Sequence, residues 1–212
     1  MSAALELEGL GVRFDGRWVL RGFSLRLDPG EKVVLTGPSG TGKSTVLRCA
    51  MGLAVPDEGG VRVFGEPMDG RSVWALRRRM AYVAQEPDLG PGTAGEAVRR
   101  PFGYRANAAL RGNLDRLPAL LERFHLAPDL LAKETSALSG GEKQRFAIIV
   151  ALLLDRSIVL LDEASSALDA DNRKRVTDGF AADASTTVLA VAHDETWGRF
   201  ASRVVTVPGG RG

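Results

Sequence analysis

The 212-residue chain carries one cysteine and two histidines. Cys49 alone cannot close an internal disulfide, and no Cys/His cluster has zinc-ligand spacing, so neither a disulfide framework nor a structural zinc site is expected. Long apolar runs are missing too. The longest, Phe146 to Leu154, is nine residues, against the ~20 that a membrane-spanning helix needs. The opening Met1-Ser2-Ala3-Ala4-Leu5-Glu6 has no basic segment leading into an apolar stretch, so no secretory signal is expected and the cytosol is the expected compartment. An excess of one charge is also lacking: 28 Lys and Arg against 26 acids leave a net +2, weak electrostatic footing for a nucleic-acid partner. Arginine outnumbers lysine 23 to 5, which reads as codon bias, and Arg77-Arg78-Arg79 reads as a solvated helix face.

What is present is ordinary globular material: 44% hydrophobic and 25% charged residues, enough for one sizeable core. Leu5 and Leu7 alternate with Glu6 and Glu8, and Val19 to Leu27 repeats the pattern after the turn-like Phe14-Asp15-Gly16-Arg17. Both read as half-buried antiparallel strands. Lys32 to Thr36 reads as a fully buried strand, followed by a glycine-rich loop and a helix from Lys43 to Met51. Apolar strands at Ala81 to Ala84, Ile158 to Asp162, Thr187 to Ala192 and Val204 to Val207 alternate with helical stretches, the pattern of a parallel sheet covered by helices. Glu86 to Ser139 breaks that rhythm and reads as a helical insertion. Its best helix runs near Leu110 to Phe124, and Pro118 predicts a kink or a break into two shorter helices.

Two motifs carry chemistry. Gly37-Pro38-Ser39-Gly40-Thr41-Gly42-Lys43-Ser44-Thr45 fits G-x-x-x-x-G-K-[ST], the phosphate-binding P-loop. Its glycines let backbone N–H groups turn toward phosphate oxygens, the following helix adds its positive end, Lys43 supplies a point charge and Ser44 a hydroxyl for Mg²⁺. Ile158-Val159-Leu160-Leu161-Asp162-Glu163 places two acids at the end of an apolar strand, where ligands bind in open α/β sheets. Asp162 is then placed to hold Mg²⁺ and Glu163 to orient or deprotonate an attacking water.

Leu138-Ser139-Gly140-Gly141-Glu142-Lys143-Gln144-Arg145 resembles the signature of the ATP-binding cassette family. Physically it is a second helix N-terminus suited to an anion, with Ser139 as cap. The resemblance spans nearly the whole chain. It implies a P-loop NTPase (RecA-like) α/β core with an N-terminal antiparallel β-subdomain and an inserted α-helical subdomain. One domain, 1–212, would then divide into 1–86 with 142–212 and a helical 87–141. Phe14 stands where the family has an aromatic that stacks on adenine. Gln85 matches the glutamine that senses Mg²⁺ and the attacking water, and His193 the histidine that contacts the γ-phosphate. Ser166-Ala167-Leu168-Asp169 resembles the loop that crosses the dimer interface, although Asp169 could equally serve only as the N-cap of the next helix. Ala164 departs from a common proline.

The resemblance implies ATP and Mg²⁺ as ligands, with Ser139, Gly140 and Gly141 completing the site of a second cassette in a head-to-tail dimer, a homodimer being permitted. It further implies a peripheral position on the inner face of the cell membrane, against a separate permease whose coupling helix is received in part by Glu86 to Tyr104. The insertion, with Leu121-Glu122-Arg123-Phe124 and Leu130-Leu131-Ala132-Lys133, looks like that of FetA-type bacterial cassettes assigned to iron export. Lipoprotein-release, haem or amino-acid cassettes are the alternatives within transport. Outside transport the alternatives are a soluble ATPase of DNA repair or translation, which usually carries coiled coils or two cassettes, and a regulator that binds ATP without turnover.

Overall fold

The computed structural model describes residues 2–192 and 195–209. Strands β1 (Leu5–Phe14) and β2 (Arg17–Leu27) form an antiparallel hairpin. Asp15 and Gly16 both have positive φ (49° and 77°), which matches a tight two-residue turn to the strand twist. β3 (Lys32–Thr36) leads through the glycine loop into α1 (Lys43–Ala50). Next come β4 (Glu58–Val63), β5 (Glu66–Pro67), α2 (Val73–Arg77) and β6 (Met80–Val83). The first sheet is antiparallel in the order β2-β1-β4-β5.

The helical stretch contains α3 (Ala94–Gly103), a 3₁₀ segment Arg105–Arg116, α4 (Leu117–Arg123) and two further 3₁₀ turns, before α5 (Gly140–Leu154). The expected helix near Leu110 to Phe124 is therefore broken, not kinked. Pro118 sits in the first turn of α4, where its missing N–H costs nothing, and the chain ahead of it winds as 3₁₀. β7 (Ile158–Asp162), α6 (Ala170–Ala181), β8 (Thr187–Val191), α7 (Glu195–Phe200) and β9 (Arg203–Thr206) complete the chain. The second sheet is parallel in the order β6-β7-β8-β3-β9.

Alternation along the parallel strands explains the two cores. Val33, Leu35, Ile158, Leu160, Leu189 and Val191 face the antiparallel sheet and α1. Val34, Val159, Leu161, Val188 and Ala190 face the other way, against α5 and the helical stretch. Because both faces are covered, the strands read as continuous apolar runs. Of the arginine run, Arg78 and Arg79 are exposed and Arg77 is half-buried. Arg77 donates to the carbonyls of Met51 (2.9 Å) and Gly52 (2.6 Å) at the end of α1, and the guanidinium of Arg79 lies 3.7 Å from the Phe64 ring centroid. Each reuses a surface charge as a cap or a stacking partner.

Candidate nucleotide-binding site

The parallel topology brings the C-terminal ends of β3, β6, β7 and β8 to one edge, and Lys43, Gln85 and Glu163 follow the ends of β3, β6 and β7. Gly37 (φ 139°) and Gly42 (φ 89°) curl the loop after β3. A Cβ on Gly37 would lie 2.9 Å from the Val207 carbonyl, so only glycine fits there. Gly42 N-caps α1 without a side-chain acceptor, and no acid occupies the first turn, so the leading N–H groups of α1 face no competing side-chain cap. Pro38, Ser39 and Gly40 are exposed, and Thr41 Oγ1 donates to the Pro38 carbonyl at 3.0 Å. Lys43 is buried. Its ammonium donates to the carbonyls of Gly37 (3.0 Å) and Pro38 (2.8 Å), which fixes the charge at the mouth of the loop. Thr45 is buried on α1.

Ser44 and Asp162 meet across the sheet edge: Ser44 Oγ donates to Asp162 Oδ1 at 2.7 Å. The other carboxylate oxygen, Oδ2, accepts from the hydroxyl of Tyr82 on β6 at 3.0 Å. Sequence reasoning missed Tyr82. The signal was a tyrosine inside a short apolar strand, where a half-buried hydroxyl needs a partner. Burial, then the Asp162 charge and hydrogen bond, push the Tyr82 hydroxyl up to about 12, so it remains a donor at neutral pH.

Glu163 follows directly and adopts φ 47°, a left-handed conformation that costs a non-glycine residue about 1–3 kcal/mol and that clusters at functional sites. Its N–H donates to the Val191 carbonyl of β8 (3.1 Å), and its Oε2 accepts from Gln85 Nε2 at 3.0 Å. Gln85, Asp162, Glu163, Ser44 and Lys43 therefore form one constellation. Phe14 ends β1 with 54% of its surface exposed. Val19 of the same hairpin packs so closely on the loop that a Cβ on Gly42 would lie 3.2 Å from it. His193 lies outside the described residues.

Ser139, Gly140 and Gly141 open α5. The cap expected at Ser139 is there, but two of the N–H groups that an anion could use are already taken. Ser139 Oγ accepts from the Glu142 N–H (3.2 Å), while Glu142 Oε2 accepts from the Ser139 N–H (2.7 Å), a reciprocal capping box. The Ser139 N–H bond holds the Glu142 carboxyl below its usual range. A Cβ on Gly141 would lie 3.2 Å from the Ala167 carbonyl, so this turn runs close beside the segment after Glu163. Asp169 is the N-cap of α6, accepting from the backbone N–H of Asn172 at 2.8 Å, which holds its carboxyl below the usual carboxylate range. A cleft of about 810 Å³ lies between Gln85, Gly140, Lys143, Gln144, Ser166 and Ala167.

Mg²⁺ prefers oxygen ligands and usually takes one or two carboxylates, with substrate phosphates and water completing the shell. Ser44 Oγ and Asp162 Oδ1, 2.7 Å apart beside the loop, fit that donor chemistry. Among the described residues no cluster of three or more His, Cys, Asp or Glu could cage a metal, and none is needed for such a shell.

A parallel sheet whose strand ends carry a phosphate loop and a paired Asp-Glu is the architecture of a P-loop NTPase. The family model described as ABC transporter matches residues 20–166. The chain belongs to the ABC transporter family, as an ATP-binding cassette. It is 38% identical over its full length to the Fe(3+) ions import ATP-binding protein FbpC 2 of Rhodococcus jostii, and the match spans 61% of that relative. It is 33% identical to the probable iron export ATP-binding protein FetA of Escherichia coli, over 97% of this chain and 92% of the relative. A dimeric bacterial ABC transporter cassette superposes with a TM-score of 0.84 at 28% identity, over 95% of this chain and 93% of that one.

Proposed function

We propose that the chain is the ATP-hydrolysing subunit of a membrane transporter, and that ATP binding closes a cassette dimer whose reopening after hydrolysis drives transport. The observation that carries this reading is the joint placement of Lys43, Ser44, Asp162, Glu163 and Gln85 at one sheet edge. The N–H groups of 37–45 and the Lys43 ammonium bind the phosphates, and Phe14 stacks on the adenine. Ser44, Asp162 and Gln85 would hold Mg²⁺, which supplies charge neutralisation for the phosphate oxygens when bound. Glu163 orients the attacking water and accepts its proton, with Gln85 fixing the carboxylate and His193 at the γ-phosphate. Ser139, Gly140, Gly141 and Asp169 serve the nucleotide of a second cassette, a homodimer in the simplest arrangement. The helical stretch 87–141 passes the motion from the core, 1–86 and 142–212, to a permease.

Among the described residues no helix is long and apolar enough to cross a membrane. A membrane partner and a peripheral position on the inner face of the membrane belong to the same reading, as they do to the family resemblance. Iron is the cargo we propose, since the names of both the FbpC 2 and FetA relatives carry it. Export is the direction that the name of the FetA relative carries, and the segments 121–124 and 130–133 resemble the insertion of such cassettes; the chain spans 61% of the length of the FbpC relatives. The import names of the FbpC relatives, at 37–38% identity, favour the opposite direction as the second reading.

The test is iron movement in vesicles holding the chain and its membrane partner. ATP-dependent efflux of iron from the cassette side that stops in Glu163→Gln supports the reading. Uptake toward the cassette side favours the import reading, and ATP-dependent movement of other solutes without iron removes the cargo assignment.

A further inference from the structure

Trp197 lies on α7, outside every motif singled out in the sequence, and is 1% exposed. Its indole Nε1 donates to Ser165 Oγ at 2.7 Å, and Ser165 is itself 4% exposed. The ring meets Phe200 edge-on, centroids 5.5 Å apart at 90°, so its plane is fixed as well as its polar tip. Ser165 belongs to the short segment that joins Glu163 to the Asp169 cap of α6. That segment turns on its own backbone bonds: Ser166 N–H to the Glu163 carbonyl (2.9 Å) and Leu168 N–H to the Ser165 carbonyl (3.0 Å). Ala164 and Leu168 are buried in the core, while Ser166 and Ala167 are exposed on the cleft.

Three neighbours thus hold this segment. Its start is tied to β8 by the Glu163 N–H, its crest runs close to Gly141 of α5, and its buried hydroxyl is tied to α7. α7 begins shortly beyond the end of β8, the strand next to β7. The Trp197–Ser165 bond therefore couples the chain after β8 to the chain after β7. A phenylalanine is smaller than an indole and has no N–H to satisfy, so the indole here brings a hydrogen bond as well as volume. Ser165 is two residues from Glu163, whose left-handed backbone leaves little slack between them.

We propose that Trp197 is a positioning residue for ATP hydrolysis, acting through Ser165 to set the Glu163–Asp169 segment. The proposal rests on the ATPase reading above and adds to it a residue that acts at a distance from the phosphates. Trp197→Phe keeps an aromatic side chain and removes the donor at the cost of a small void, whereas Ser165→Ala removes the acceptor and leaves the indole in place. It is expected to lower kcat about tenfold, the order of one hydrogen bond, with KM for ATP changed less than about twofold. Ser165→Ala is expected to match it, the double variant to be no slower than either single one, and Ser165→Thr, which keeps a hydroxyl, to recover the rate.

A second readout is the emission of Trp197 in a background with the other two tryptophans, Trp18 and Trp74, changed to Phe. It is expected to shift when ATP is added and to lose that response in Ser165→Ala. Single variants that melt earlier but keep kcat, or a double variant with additive losses, would overturn the proposal. A wild-type chain that binds ATP and releases no phosphate contradicts the ATPase reading instead. In that case the emission response still decides: a shift that depends on Ser165 upholds the link, and an unresponsive Trp197 overturns it.

Discussion

Gln85 Nε2 lies 3.0 Å from Glu163 Oε2, joining the loops that leave two adjacent parallel strands, β6 and β7. An amide donor on one oxygen of a carboxylate fixes its rotation, and with it the direction in which the group can meet a water. Hydrogen bonds to charged groups are worth about 1.5–3 kcal/mol. Gln85→Ala is therefore expected to slow ATP turnover by about ten- to a hundredfold. Its affinity for ATP measured without Mg²⁺ should stay near wild type, because the phosphate loop is untouched. Equilibrium binding of a fluorescent ATP analogue, beside steady-state phosphate release, separates the two effects.

Tyr82 holds the second oxygen of Asp162, so in Tyr82→Phe that oxygen loses its hydroxyl donor while Ser44 still donates to the first. Losing a partner that orients a metal-binding group typically costs about 10–100-fold in metal affinity. A Mg²⁺ titration of phosphate release should move to higher concentration by about that factor, with the saturated rate largely recovered. An unchanged titration would remove Tyr82 from the site.

The Asp183 carboxylate accepts from the hydroxyls of Ser185 and Thr186 and is held down at about 2. A carboxyl depressed in the folded chain stabilises it above its unfolded value near 3.8, and that contribution fades as pH falls toward about 2. Asp183→Asn should be less stable than wild type at pH 7 in urea melts, and the gap should narrow as pH falls from about 4 toward 2. A gap that is constant with pH would contradict the assignment.

The parts legible in the sequence were those fixed locally. Lys32–Thr36 and Ile158–Asp162 stand as strands with the bounds their apolar runs gave, because strands buried on both faces have no polar alternation to blur them. β4 was not legible. Its Glu58-Gly59-Gly60 start looks like a turn, and the strand exists because Val61 and Val63 pair with Leu7 and Leu5 far away in sequence. Gly59 is needed there, since a Cβ would fall 2.1 Å from the Glu8 carbonyl. The same limit hid Tyr82 and Trp197: each acts through a contact with a residue 80 or 32 positions away. The cap at Ser139 was legible, but the return bond from Glu142 was not.

The central claim is that the chain turns over ATP with Lys43 gripping phosphate and Glu163 serving the attacking water. Phosphate release by the purified chain, measured for wild type, Lys43→Ala and Glu163→Gln beside ATP binding, tests it most directly. The account predicts that Lys43→Ala loses ATP binding, while Glu163→Gln keeps binding and falls by about a hundredfold or more in turnover. Equal turnover in all three proteins would contradict it.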